Sequence, residues 1–182
     1  AAADAAAGLA TLSHLVAASK ERAARSALAH DNLLACLAAA VVQAGSDDDA
    51  GDDPLAYSSL GVLVELTDAG DAARAYVASR NDVLDALVAF QKERTVATST
   101  ATRAVVVLAN VAAGDDRTAV ARLDGVRPAV LRAVTASLKD DDLRRLAAAV
   151  RLAAFVFEAD SAAAIADRRK RSGGATTPAE PE

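Results

Sequence analysis

The sequence has no tryptophan and no methionine, and only three phenylalanines and two tyrosines among its 182 residues. A core without large rings is built from many small contacts, because each buried alanine or valine removes little apolar area from water. Cysteine is limited to Cys36. That excludes an intramolecular disulfide and a multi-cysteine zinc site, and it favours a reducing, cytoplasmic setting. The four prolines and nine glycines fall mostly between the apolar segments, dividing the chain into pieces of helix length without breaking them. No uninterrupted apolar run of about 18 residues is present to cross a membrane. Ala1 to Gly8 lacks the basic start and apolar block of a secretory signal, although the chain begins without Met and a trimmed amino terminus could hide a targeting segment. Excess positive charge is missing too. A net charge of -5 and a pI near 5.1 argue against a nucleic-acid surface across the whole domain, while leaving room for a local basic patch.

Apolar residues make up 53% of the chain, mainly alanine, leucine and valine, and the mean hydropathy is +0.19. This length and composition suit one domain with a real core. Alanine and leucine lose little side-chain entropy in a helix, so an all-α fold is expected. Punctuation and periodicity place helices at about 2–18, 20–29, 32–44, 54–67, 71–79, 82–94, 98–113, 116–122, 127–138, 141–157 and 159–170. Asp31, Asn81 and Asp140 stand just before apolar runs, where a short side-chain oxygen can accept from a free helix amide. Pro54 suits a first helical position. Ala104, Val107, Leu108 and Val111 share one helical stripe and are expected in the core. Leu143, Leu146, Val150 and Phe157 repeat that pattern, and Cys36, among Leu33, Leu37 and Ala40, reads as a small core residue. The stretch 45–53, GSDDDAGDD, is expected to be a solvated acidic loop, and 172–182 a disordered tail.

The chain repeats itself. Aligning Leu12, Leu63, Leu108 and Leu152 superimposes LATLSHL, LGVLVEL, VVVLANVA and AVRLAAFVF at successive offsets of 51, 45 and 44 residues. A second motif follows the first three anchors: HDNLLACL from His30, RNDVLDAL from Arg80 and LDGVRPAVL from Leu123. A period near 45 residues with two or three helices falls in the HEAT and armadillo range of about 40 to 47.

Leu123 to Leu131 resembles the armadillo turn in which glycine ends the first helix and proline starts the second, and Ala104 to Ala113 resembles the end of that family's third helix. The resemblance implies a right-handed superhelix of three units, at about 19–68, 69–113 and 114–158, after a leading third helix. In armadillo proteins that bind extended peptides, third-helix asparagines hold the peptide backbone, with tryptophans one turn earlier. The positions matching those asparagines are His14, Glu65, Asn110 and Ala154; those matching the tryptophans are Ala10, Gly61, Val106 and Val150. Only Asn110 fits, so the asparagine-ladder mode is not expected. Asn110 is open to two readings, a groove residue or an internal cap or inter-repeat hydrogen bond. His14, Glu65, Asn110, Arg103 and Arg151 are the candidate partner-binding residues.

Catalytic chemistry has little to rest on. His14 and His30 have no carboxylates converging on them in sequence, and His30 adjoins the expected cap Asp31. Asp47 to Asp53 lacks the ligand order of an EF-hand loop, and neither a glycine-rich phosphate loop nor a Gly-x-Ser-x-Gly elbow occurs. No metal or cofactor is expected. Arg168, Arg169, Lys170 and Arg171 suit a nuclear-import signal or an anionic partner, and more simply a cationic helix end opposing the helix dipole. The reading is therefore a non-catalytic cytoplasmic scaffold that holds a protein partner in a larger assembly, cytoskeletal or ciliary by analogy. The alternative is an armadillo-type co-chaperone that speeds nucleotide release from a heat-shock ATPase. Membrane insertion and nucleic-acid binding are disfavoured.

Overall fold

A computed structural model describes residues 2–18, 29–46, 53–91, 98–115 and 117–173, and among these all regular structure is α-helical. The helices are α1 (Ala2–Ala18), α2 (Asp31–Gly45), α3 (Pro54–Ala69), α4 (Asp71–Ala78), α5 (Asn81–Ala89), α6 (Thr98–Ala112), α7 (Arg117–Ala121), α8 (Val126–Asp140) and α9 (Leu143–Gly173). The expected helix at 20–29, most of the acidic loop and the tail beyond Gly173 lie outside the described residues. The two helices expected at 141–157 and 159–170 are one continuous helix from Leu143 to Gly173, and Asp141 and Asp142 lie in the turn before it. No glycine or proline interrupts Leu143 to Ser172, so nothing in the backbone ends α9 earlier.

Local chemistry sets the helix ends. Asp53 accepts the Leu55 amide at 2.8 Å, and Pro54 follows at the first helical position. At α2 the cap is His30, whose Nδ1 accepts from the Leu33 amide, so Asp31 becomes the first helical residue. Asn81 is likewise inside α5, which starts after Arg80 without a side-chain cap. Asp140 ends α8; Asp142 caps α9 by accepting the Arg145 amide at 2.9 Å. Between them Asp141 takes a left-handed conformation at φ 53°, and the Asp142 amide closes onto the Ser137 carbonyl, reversing the chain within two residues. Gly125, at φ 82° before α8, makes the turn expected of it.

The helices pack in two rows. α1 lies on α3, α3 on α6 and α6 on α9; behind them α2 packs on α5 and α5 on α8. One apolar cluster runs through both rows from Val16 to Val156. The aligned leucines mark the first row: Leu63, Leu108 and Leu152 are buried and Leu12 packs against the same cluster. Small residues let the rows approach closely. A β-carbon on Gly45 would stand 2.6 Å from the Ala86 β-carbon, so α2 and α5 touch there through backbone. Arg74 on α4 closes the end of α3, its Nε donating to the Thr67 carbonyl at 2.7 Å and its Nη2 to the Asp68 carbonyl at 3.1 Å, two acceptors the helix itself leaves open.

Two core expectations are corrected. On α9 the buried stripe is Arg145, Ala149, Leu152 and Val156, while Leu143, Val150 and Phe157 point away from the body and Leu146 is half-buried. On α2 the stripe of Leu34, Leu37, Ala38 and Val41 faces inward, which turns Cys36 out to solvent. Both helices are apolar on nearly every face, so size and hydrophobicity alone do not fix which face turns in. On α6 Ala104, Val107, Leu108 and Val111 are all buried, as expected.

Candidate functional site

Asn110 is buried in α6 between its two neighbours in the front row. Its Nδ2 donates to the Val64 carbonyl at 3.3 Å and to the Thr67 hydroxyl at 3.1 Å, both on α3, and its Oδ1 accepts from the Arg151 guanidinium of α9. Thr67 can accept because its own proton goes to the Leu63 carbonyl at 2.7 Å. Amide and guanidinium thus join α3, α6 and α9. Of the two readings of Asn110, the inter-helix hydrogen bond is the one the geometry has: both ends of the amide are held by the protein.

Directly over this bridge lies a trough of about 370 Å³. Its α3 wall carries Glu65 and Asp68, and its α9 wall Arg144 and Arg151; Val64, Val106, Ala147 and Ala148 make it apolar between them. Of the five expected partner-binding residues, Glu65, Asn110 and Arg151 therefore meet in one place. Arg103 lies two turns before Asn110 on α6 and is drawn to α3 instead. Its guanidinium carbon stands 3.5 Å over the centre of the Tyr57 ring and its Nη1 donates to the Tyr57 carbonyl at 2.6 Å. Burial pushes the pKa of Arg103 down, with Arg144 adding to this while Tyr57 and Glu65 oppose it; a guanidinium stays charged under all these influences. His14 is exposed on α1 and does not line the trough. Arg168, Arg169, Lys170 and Arg171 fall on the last turns of α9, and their side chains lie outside the described residues.

Asp68 and Arg144 were missed in the sequence. The signal was there: Asp68 follows Glu65 by three residues and Arg144 precedes Arg151 by seven, so each shares a helix face with a candidate already chosen.

A second polar cluster holds α9 in place. Buried Arg145 donates to the Gln91 side-chain oxygen at 3.0 Å, the Gln91 amide donates to the Ala101 carbonyl at 2.8 Å, and Arg132 on α8 donates to the Gln91 carbonyl at 2.8 Å. Thr102 on α6 donates to Asp142 at 2.6 Å. Burial pushes the Asp142 carboxyl up, but the Thr102 hydroxyl, the Arg145 amide and the Arg145 charge outweigh it and hold the group below the usual carboxylate range. Burial lowers the Arg145 pKa against the pull of Asp142 and Asp140.

No family model, curated protein or solved structure matches this chain. Among the described residues, no three His, Cys, Asp or Glu side chains gather in a way that could hold a metal ion, and no helix is long and apolar enough to cross a membrane.

Proposed function

We propose that the chain is a non-catalytic interaction module, an armadillo-like right-handed solenoid that holds a protein partner against its front row within a larger assembly. Two rows of helices in nearest-neighbour contact support the solenoid reading, with α4 to α6 and α7 to α9 as successive three-helix units. One observation carries the binding reading: the trough sets two carboxylates opposite two guanidiniums across an apolar floor. Such a surface selects a segment that brings an apolar side chain flanked by charges of both signs, and rejects one charged in the opposite order. Binding here proceeds through side chains, since the Asn110 amide is already held at both ends.

A photo-reactive residue at Val106, within the trough, tests the reading against one at Leu131 on the outer face of α8. In native extract, Val106 labelling is expected to yield a discrete protein adduct that the paired variant Glu65→Arg/Arg144→Glu abolishes. Equal labelling from both positions, or an adduct that the charge reversal leaves intact, would contradict the proposal.

A further inference from the structure

The outer face of α9 carries a pattern that runs beyond the trough, with Ala147 and Arg151 at the border between the two. Leu143, Val150 and Phe157 recur every seven residues and are 72%, 54% and 51% exposed, on the side opposite the buried stripe. Ala147, Ala154 and Ser161 follow them by four residues each and are exposed as well. Large and small side chains thus alternate at spacings of four and three, the 3.5-residue repeat of a helix–helix seam. From Phe157 to Gly173 none of the described side chains is buried.

We propose that this face pairs with the same face of a second copy of the chain, the two α9 helices running antiparallel about a two-fold axis. Antiparallel pairing follows from the sizes and the charges. In the register that sets Phe157 of each copy against Ala154 of the other, Val150 faces Ser161 of the second copy, so the two central large residues each meet a small one, and Leu143 falls opposite position 168, an arginine, at the edge of the seam. The same register brings Arg151 beside Glu158 of the second copy, and both residues are exposed. Arg151 has donors to spare beyond the one given to Asn110. It also carries the acidic junction at Asp140 and Asp141 to the far end of the other α9, where the sequence has Arg168 to Arg171. Each contact occurs twice, as a two-fold interface requires. Parallel pairing would set phenylalanine on phenylalanine and the basic ends side by side. The seam lies on the face of α9 opposite the core, so pairing leaves the trough's α3 wall untouched.

Sedimentation equilibrium of the full chain is expected to give a species of twice the 18.4 kDa chain mass at micromolar concentration. Phe157→Glu buries two carboxylates at the centre of the seam and is expected to weaken the dimer by more than about a hundredfold with helicity unchanged. In a Cys36→Ser background, Val150→Cys/Ser161→Cys should cross-link two copies on oxidation. Val150→Cys without the Ser161 change should not, because eleven residues of helix separate the two copies of position 150 by about 16 Å, beyond disulfide reach. A chain that stays monomeric to 100 μM, as it would if this face belonged to a further unit of a longer solenoid, overturns the proposal. So does a dimer that Phe157→Glu leaves intact, or one that Val150→Cys alone cross-links as fully as the pair.

Discussion

Helices α6 and α9 are built from the same few residue types, yet they stand in opposite relations to the core. α6 has a neighbour on either side in the front row and more behind, and from Thr100 to Ala112 only Arg103 and Val106 are even half-exposed. α9 is covered on one face only; there it buries alanines, Leu152, Val156 and an arginine, with Phe155 half-buried beside them, while Leu143, Val150, Phe157 and Ile165 point outward. What distinguishes the two is position in the stack. A helix with neighbours all round can be apolar all round, and whichever stripe is largest is buried by default. A helix at the end of a row has to choose a face, and α9 turns in the smoother one, where small side chains let it approach α6 and Arg145 can reach Gln91.

That contrast can be broken by substitution. Leu108→Ala on α6 should cost about 3 kcal/mol in chemical denaturation, because the surrounding helices cannot collapse into the space. Phe157→Ala on α9, measured below micromolar concentration, should change stability by less than about 0.5 kcal/mol. If the two costs are similar, the rotational setting of α9 is wrong. Asn110→Ala, which removes the bridge between α6 and both its neighbours, is expected to cost about 2 kcal/mol by thermal melting. Acid gives a smaller effect with a definite sign. The Asp142 carboxyl is held below its unfolded pKa, so its contribution is fully present above that unfolded value, about 3.9, and is lost as pH falls through the folded one. Thr102→Ala should shrink this acid-side loss in a pH series of melting curves. The smallest change expected is a gain. Ser59 is fully buried in α3 with a hydroxyl that has no partner among the described residues, so Ser59→Ala should stabilise by up to about 1 kcal/mol in the same melts.

Much of the fold was legible because the repeat fixes more than propensity does. The bounds of α1 and the start of α3 at Pro54 were read directly, and the aligned leucines mark the four helices of the front row. Rotational phase was not legible where alanine is dense. Around Cys36 and along α9 several stripes are equally apolar, and choosing the one with the largest residues picks the wrong face of α9. Caps were near misses of one or two residues, because three consecutive aspartates at the α8–α9 turn all suit a helix start and only backbone geometry selects Asp142. Part of the candidate site was legible from its offset to the anchors: Glu65 and Asn110 stand two residues after buried leucines and come together. Arg103 was diverted by an aromatic ring on the neighbouring helix, a long-range contact that the sequence pattern does not encode.

The nearest-neighbour packing of the front row also dictates how the molecule comes apart. Amides in α6 can exchange with solvent only when helices on both sides have moved, so their protection should approach that of global unfolding. Beyond Val156 none of the described side chains of α9 is buried, so the helix can fray there ahead of the rest. The chain is therefore expected to unzip from its flanks toward its middle, and a protease acting on its fluctuations would leave a fragment centred on α3 to α6 as the last part to be lost.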